Sequence, residues 1–489
     1  MIRKMLFCIL FILLLCLAVS ALADVSIDEE HFPDPVFRLF VRLKYDADGN
    51  SVLSDAERSS VTIMNCSGSE LKTMEGMPEE WSRTGISSLQ GIEYFPALTS
   101  LNCSSRKRAW PDTGITDGWI NHITWLDLRE NRALERLDCY GNQLEILVIS
   151  PYSSLTHLDC HNNALTSLDL SNARKLTELY CSRNQLTQLI AVNCTELNHL
   201  DCSDNSLDHL NVSYNTALTT LVCSGNELPA LDLSRNPSLQ QLFCEKNNLS
   251  DLDLQNNPLL TILNCCDNRL VFLNVSKCAG LQTLLCYGNC LNTLDLSGNA
   301  SLRYLFCQHN HLETLDLRKN TALKEADCSE NRLTALDPGS SAALDKLVCG
   351  LNRLRTLDCS RLSGLKELYC QDNLLEQLNI TGNTELQIFN CCRNQLLVLD
   401  VTRNTKLTTL ETYGNYIDEI DARNITAFAN FLNNSQRAPK SLETKTAQNY
   451  EFCYYFNNTG SIDLRVDLFT RVLPEKFGNE PQMRLVWDQ

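Results

Sequence analysis

The sequence predicts a strand-dominated repeat solenoid of the α/β class, with a small helical N-terminal cap and an α/β C-terminal cap. Two observations predict this fold. Leu134 opens the first of fourteen consecutive 21-residue units and Leu407 opens the last, with no insertion or deletion between them. Within each unit, apolar residues recur twice with the spacing of a strand that has one buried face. A fixed period of this kind is typical of repeat architectures, in which each unit packs only against its neighbours.

Each unit contains the same short apolar pattern twice. The unit that begins at Leu155 reads LTHLDCHNNALTSLDLSNARK. Positions one, four and six are apolar, and positions four and six share one face because side chains alternate along a strand. The same spacing recurs at positions eleven, fourteen and sixteen. We therefore expect two short parallel strands in every coil, so that stacked coils form two parallel sheets around a narrow apolar core.

Two interior positions hardly vary. Position nine is Asn in all fourteen units, and position six is Cys in thirteen of them, with Thr412 in the last. We expect the Asn amides to bond main-chain groups of their own and neighbouring coils. The inward cysteines are interpreted first as structural thiols, because buried Cys behaves as a small apolar group. Disulfides between adjacent coils, whose spacing permits them, and thiolate metal sites are the alternatives.

This pattern resembles the bacterial leucine-rich-repeat class whose consensus reads LxxLxCxxNxLxxLDLxxNxx, and residues 86–103 resemble its internalin-type variant. The resemblance covers the whole regular array. It implies a leucine-rich-repeat solenoid. It does not imply the function, because the family serves many partners.

The expected organisation has five consecutive parts. These are a signal peptide at residues 1–23, a helical N-terminal cap with an acidic loop at 24–60, divergent repeats with a Trp-rich insertion at 61–133, the regular units at 134–424, and a C-terminal cap at 425–489. At the start of the last part, residues 425–432 have apolar side chains at helical spacing. Residues 461–468 alternate after a turn, which predicts a hairpin over the last coil.

The N-terminal segment has the character of a targeting signal. Arg3 and Lys4 precede an apolar run that ends in the cleavage pattern Ala21-Leu22-Ala23. We expect cleavage after Ala23 and a secreted or cell-surface protein. The apolar run is shorter than the roughly 20 residues of a spanning helix, so no membrane insertion is expected after cleavage.

Residues 46–57, DADGNSVLSDAE, match the spacing of an EF-hand loop. Ser51 stands where that family has Gly, and the loop is single. We weigh a single weak Ca²⁺ site against a metal-free acidic turn that caps the next helix. The candidate ligands are Asp46, Asp48, Asn50, the main chain of Val52, Ser54 and Glu57.

The candidate binding surface lies on the outward positions three, five and seven of the first strand. Large apolar groups gather there on the middle units, with acids nearer both ends. An apolar patch rimmed by polar groups indicates an interaction surface, whereas the alternative is that the strand simply tolerates β-formers there. The candidate residues are Tyr180, Val222, Phe243, Ile262, Leu285, Tyr287, Tyr304, Phe306, Val348 and Tyr369.

Charge and motifs narrow the function. A formal charge of −17 argues against nucleic acid or anionic lipid as a partner. No catalytic triad motif, phosphate loop or recurrent carboxylate pair indicates an enzyme. The sequence therefore predicts an exported, monomeric, non-catalytic protein that binds a protein or a surface glycan. The alternatives are a structural envelope or spacer protein and, less favoured, an enzyme that uses the insertion or the C-terminal cap.

Overall fold

The structure, a computed structural model, describes residues 24–78, 81, 84–105, 121–417, 419–422, 424–425, 430–433, 441–443, 452–456 and 462–466. The predicted signal peptide, residues 106–120 of the Trp-rich insertion and much of the C-terminal cap lie outside the described residues. The chain forms two compact units, Met1–Glu227 and Leu228–Gln489. Within the described residues, no helix has the length and apolar character needed to cross a bilayer.

The first unit begins with a helical cap. Its helices are α1 (Pro35–Tyr45), α2 (Asp55–Ser60) and α3 (Gly68–Thr73), and a 3₁₀ turn follows at Ile92–Tyr94. Helix α1 begins where the Asp34 carboxylate accepts two main-chain N–H groups of the first turn. The other oxygen of Asp34 accepts N–H groups from Ser87 and Ser88, which ties the cap to the first coils. The apolar face of α1 buries Val36, Phe37, Phe40 and Val41.

Thirteen strands follow one another among the described residues of the first unit. They are β1 (Val25–Ser26), β2 (Val52–Leu53), β3 (Ile63–Asn65), β4 (Ser100–Asn102), β5 (Trp125–Leu128), β6 (Arg136–Asp138), β7 (Ile146–Ile149), β8 (His157–Asp159), β9 (Ser167–Asp169), β10 (Glu178–Tyr180), β11 (Gln188–Ile190), β12 (His199–Asp201) and β13 (Thr220–Val222). Strands β3, β4, β6, β8, β10, β12 and β13 pair in parallel and in register. On the other side, β5 pairs with β7 and β9 with β11, also in parallel, whereas β1 and β2 are antiparallel.

The second unit continues the same pattern. Its strands are β14 (Gln241–Phe243), β15 (Ile262–Asn264), β16 (Thr283–Leu285), β17 (Tyr304–Phe306), β18 (Thr314–Asp316), β19 (Glu325–Asp327), β20 (Ala335–Asp337), β21 (Lys346–Val348), β22 (Thr356–Asp358), β23 (Glu367–Tyr369), β24 (Gln377–Asn379), β25 (Ile388–Asn390), β26 (Thr409–Glu411), β27 (Glu419–Asp421), β28 (Asn430–Asn433), β29 (Ser441–Glu443), β30 (Phe452–Phe456) and β31 (Ile462–Val466). Strands β14 to β17, β19, β21, β23, β25, β26 and β28 form the parallel first-strand sheet. The second strands of the coils form separate two-stranded sheets, in which β18 pairs with β20, β22 with β24, and β27 with β29.

The strand prediction holds fully for one half of the coil and partly for the other. All fourteen regular units form the first strand, but the second strand is present in eight of them. In five units without it, the leucine at position fourteen is still buried, at Leu231, Leu252, Leu273, Leu294 and Leu399. The apolar spacing therefore predicts that position fourteen is buried. It does not predict a strand there, because the leucine is buried with or without strand pairing.

The C-terminal cap corrects one expectation and agrees with another. The apolar spacing of residues 425–432 predicts a helix, yet Asn430–Asn433 is the strand β28. Its register partner for Asn430 is Thr409, which is 21 residues earlier, so the repeat period continues into the cap and determines its structure. Strands β30 and β31 form the expected antiparallel hairpin, and β31 pairs with β28.

The Asn residues at position nine form the predicted interior ladder. In Asn289, the side-chain Oδ1 accepts the main-chain N–H of Leu270 in the preceding coil at 3.0 Å. Its Nδ2 donates to the carbonyl oxygens of Cys265 and Cys286 at 3.0 and 3.1 Å. The same bonds recur from coil to coil, so each Asn joins two consecutive coils through otherwise buried main-chain groups.

The cysteines form a second interior row of free thiols. The 21 cysteines from Cys66 to Cys392 are free, and all of these except Cys290 are buried. Cys66 and Cys103 extend the row into the divergent repeats, because their N–H groups bond the next coil as those of the regular units do. Burial raises the pKa of these thiols, to about 12 for Cys103 and further for others, so they stay protonated and apolar.

Position eight adopts a left-handed backbone in all fourteen regular units. Its φ lies between 50° and 75°, and only four of these residues are glycines. Leu351 has φ 53° and Lys246 has φ 54°, a region that L-residues with large side chains rarely occupy. The turn that returns the chain to position nine is therefore imposed by the surrounding coil rather than by local preference.

Candidate functional site

Eight of the ten predicted surface residues lie on the outward side of the first-strand sheet in the second unit. Leu285 of β16 and Phe306 of β17 are direct register partners. Thr283 of β16 has Ile262 of β15 and Tyr304 of β17 as its register partners on either side. Phe243 is separated from Leu285 by Asn264, and Val348 and Tyr369 form another register pair beyond Asp327. Among the predicted residues, the largest group of neighbours is therefore the one centred on Leu285 and Phe306.

Tyr180 and Val222 belong to the first unit, where the neighbours are different. The Tyr180 ring lies between two imidazoles, with ring centroids 5.6 Å from His157 and 4.7 Å from His199. Asp159 and Asp201 are its register partners on either side. Desolvation, followed by the nearby acidic groups, raises the pKa of Tyr180. The sequence groups Tyr180 with the apolar residues, but the structure places it in a polar and aromatic cluster.

Exposure of the predicted residues is lower than their outward direction suggests. Tyr304 is 37% exposed and the other nine are half-buried, because in-register side chains on strands about 4.8 Å apart cover one another. The most exposed apolar groups include Val398 at 76% and Phe272 at 59%. Both occupy position thirteen, where most units have a polar or small residue, and this contrast is the signal that would have identified them.

The acidic loop at residues 46–57 brings three of its six predicted ligands together. Carboxylate oxygens of Asp46, Asp48 and Glu57 lie within 4.8 Å of one another. Ser51, at the position where EF-hands have Gly, has φ 63°, so the sharp turn is made at the cost of left-handed strain. The main chain at Val52 belongs to β2, whose partner is β1. The donor set and its spacing fit a hard cation such as Ca²⁺, which takes oxygen ligands.

The same loop also contains the bonds of the metal-free alternative. Ser54 and Glu57 form a capping box at the start of α2. One Glu57 oxygen accepts the N–H of Ala47 at 2.8 Å, and the other accepts the N–H and hydroxyl of Ser54. The main-chain bond from Ser54 is the largest cause that lowers the pKa of Glu57. The Oδ1 of Asn50 accepts the N–H of Val52 at 2.7 Å. These are the bonds that a metal-free acidic turn requires.

Comparison with known proteins supports the fold. No protein-family model and no curated protein matches the sequence. Among solved structures, the chain is similar to the functional domain of InlJ from Listeria monocytogenes, which includes a cysteine ladder, with 27% identity and a TM-score of 0.64 over 92% of this chain and 94% of that one. It is also similar to the leucine-rich-repeat protein LIC12759 of Leptospira interrogans, with 20% identity and a TM-score of 0.57 over 75% of this chain and 93% of that one. With the stacked coils and their two interior ladders, these likenesses establish that the chain has the leucine-rich-repeat solenoid fold.

Proposed function

We propose that the chain is an exported, non-catalytic recognition protein that binds a protein partner through the outer face of its first-strand sheet. The observation that carries the proposal is the register pairing of Leu285 with Phe306, next to the exposed Tyr304, on the solvent side of β16 and β17. We refer to Ile262, Leu285, Tyr287, Tyr304 and Phe306 as the apolar patch. Aromatic residues are enriched in protein interfaces, where a few central side chains contribute most of the binding energy.

The interior of the coils explains why the patch is not needed for folding. Position four of these strands is buried, and the two ladders bond the main chain from inside. Positions three and five are therefore free to carry polar residues, as Thr283 and Asp327 show within the same sheet. Large apolar groups at these positions lower solubility without a structural requirement, which favours a binding role.

The test compares two double variants of the mature chain. Leu285→Ser/Phe306→Ser removes the centre of the apolar patch without adding charge. Val271→Ser/Phe272→Ser is the matched control, because it removes exposed apolar groups at positions twelve and thirteen of a nearby coil, outside the apolar patch. Both variants and the wild type are applied to arrays of extracellular proteins and surface glycans, and circular dichroism checks their folding.

We expect the wild type to capture a protein, the patch variant to bind at least about tenfold more weakly, and the control to bind as the wild type does. Unchanged capture by the patch variant contradicts the proposal, and so does the absence of any captured protein. Loss of capture in the control alone would place the binding surface on the second-strand side. Export is tested separately: the mature N-terminus should be Asp24, as read by mass spectrometry of the secreted protein.

We also propose that residues 46–57 bind one Ca²⁺ weakly, in the range of about 10⁻⁴ to 10⁻³ M that extracellular sites show. The converging oxygens of Asp46, Asp48 and Glu57 support this proposal. Glu57→Gln keeps the shape and the capping bond to Ser54 but removes the charge, so Ca²⁺ affinity should fall at least about tenfold. Asp55→Asn is the control, because Asp55 lies on α2 outside the ligand spacing. Isothermal calorimetry that shows no heat for the wild type supports the metal-free turn instead.

A further inference from the structure

A cavity of about 370 Å³ lies on the second-strand side of the first unit, away from the first-strand face. Its wall is the indole of Trp125 at the start of β5, and the buried side chains of Leu89 and Leu126 contribute apolar lining. The 3₁₀ turn Ile92–Tyr94 supplies Glu93 on another side. The volume is at the lower end of the range of about 300–1,000 Å³ that small-molecule sites occupy, so it suits one or two rings rather than a protein segment.

Trp125 is unusually exposed for a tryptophan of a regular strand. Its side chain is 44% exposed, and its register partner on β7 is Ile146. The equivalent outward position of later coils holds residues such as Ser167 and Gln188. An indole at this position adds nothing that the fold requires, because the buried Leu126 already anchors the strand. The flat apolar face of Trp125 is therefore available to a ligand.

The polar rim of the cavity consists of the carboxylates of Glu93, Asp127 and Glu130, the guanidinium of Arg129 and the amide of Gln90. The Arg129 guanidinium is bound to the Asp127 carboxylate through Nε at 3.0 and 2.9 Å and through a second nitrogen, and this pairing lowers the pKa of Asp127. Glu93 accepts the N–H of Gly91 through one oxygen at 2.8 Å. The amide of Gln90 offers both a donor and an acceptor at the exposed edge.

This arrangement discriminates among ligand classes by charge. An anionic ligand would meet the carboxylates of Glu93 and Glu130, and a cationic ligand would meet the guanidinium of Arg129. A neutral molecule with several hydroxyl groups can donate to the carboxylate and accept from the guanidinium and amide. A pyranose ring also has an apolar face of C–H groups that covers an indole. We propose that the Trp125 cavity binds a neutral sugar of one or two rings, as a site separate from the apolar patch.

The test uses saturation-transfer NMR and tryptophan fluorescence on the full mature chain. The probes are cellobiose, lactose and N,N′-diacetylchitobiose, with N-acetylneuraminic acid and glucosamine as the charged comparisons. We expect at least one neutral disaccharide to bind with a dissociation constant on the order of 1 mM. Trp125→Ala should weaken this binding at least tenfold, and Trp125→Phe, which keeps a ring, should weaken it less.

Tyr214→Ala is the matched control, because Tyr214 is an exposed aromatic residue of the same unit outside the cavity. It should bind the sugar as the wild type does, and thermal unfolding confirms that all variants are folded. The proposal is overturned if no neutral disaccharide binds the wild type, if Trp125→Ala binds equally well, or if a charged sugar binds more tightly than the neutral ones. None of these results depends on protein capture by the apolar patch.

Discussion

Replacement of Asn289 by Ala measures how strongly the position-nine ladder holds consecutive coils together. The fully buried Leu270 donates its N–H to Oδ1 of Asn289. The carbonyls of Cys265 and Cys286, which accept from Asn289, each keep a second amide donor from a neighbouring ladder residue. The variant therefore leaves one buried N–H group, that of Leu270, without a partner. The two lost Nδ2 bonds contribute about 1 kcal/mol each, and the unpartnered N–H of Leu270 costs about 1–3 kcal/mol. The expected loss of stability is therefore about 4 kcal/mol.

Asn299, at position nineteen of the same coil, is the matched comparison. It is also buried, and its Nδ2 donates to the carbonyls of Val275 and Cys278 at 3.1 and 2.9 Å. Both carbonyls also accept main-chain N–H groups, so they stay satisfied in the variant. The Oδ1 of Asn299 has no donor among the described residues. Asn299→Ala therefore removes an orphan as well as two bonds, and its net cost should be about 1 kcal/mol or less.

The assay is guanidinium unfolding followed by circular dichroism, with hydrogen exchange of the segment around Leu270 measured by mass spectrometry. Asn289→Ala should lower the free energy of unfolding by about 3 kcal/mol more than Asn299→Ala. The Leu270 amide should exchange faster in the first variant and at the wild-type rate in the second. The reasoning is refuted if both variants lose the same free energy of unfolding. It is also refuted if the exchange rate of the Leu270 amide does not change in Asn289→Ala.

Two further predictions concern the interior and the turns. Burial raises the pKa of ladder thiols such as Cys103 and Cys286 above the ordinary value of a thiol. Stability should be complete below about pH 9 and fall above it, where only the unfolded chain loses these protons, by about 1.4 kcal/mol per thiol and pH unit. Guanidinium unfolding across pH 8–11 checks this, Cys286→Val should reduce the slope, and a pH-independent midpoint would contradict it. Leu351→Gly should raise stability by about 1 kcal/mol, because Leu351 has φ 53° and glycine adopts this region without strain. Leu351→Ala should show no such gain in calorimetry, and equal gains in both variants would exclude backbone strain as the cause.

The interior of the coil was predictable because its chemistry repeats. Asn289 and Cys286 stand at positions that hardly vary, and both bond or pack as their periodicity indicates. Other features leave no such mark. The left-handed turn at position eight is held by Gly288 in one coil and by Leu351 in another, so composition does not reveal it. The absence of a second strand in several coils is also hidden, because the buried leucine at position fourteen is present with or without ladder bonds.

The outward residues were the hardest to interpret, since direction along a strand does not determine exposure. Phe306 points outward but is half-covered by its register neighbours, whereas Phe272 and Val398, which lie where no second strand forms, are largely exposed. The Trp125 cavity depends on Gln90 and Glu93, which are distant from Trp125 in sequence and belong to a divergent coil. Spacing within one 21-residue unit contains no information about contacts of that kind.

The turn at position eight shows that buried hydrogen bonds, rather than local backbone preference, determine the coil geometry. Lys246 and Leu351 adopt the left-handed region, as Gly288 does. Each such non-glycine residue costs about 1–2 kcal/mol relative to its preferred backbone conformation. The strain persists because the next residue is the ladder Asn, whose bonds to two coils are worth more than that cost. A coil fixed in this way tolerates wide variation at its surface positions. Folding does not require apolar groups there such as Leu285 and Phe306, and this is the reason for which we propose these residues as the binding surface.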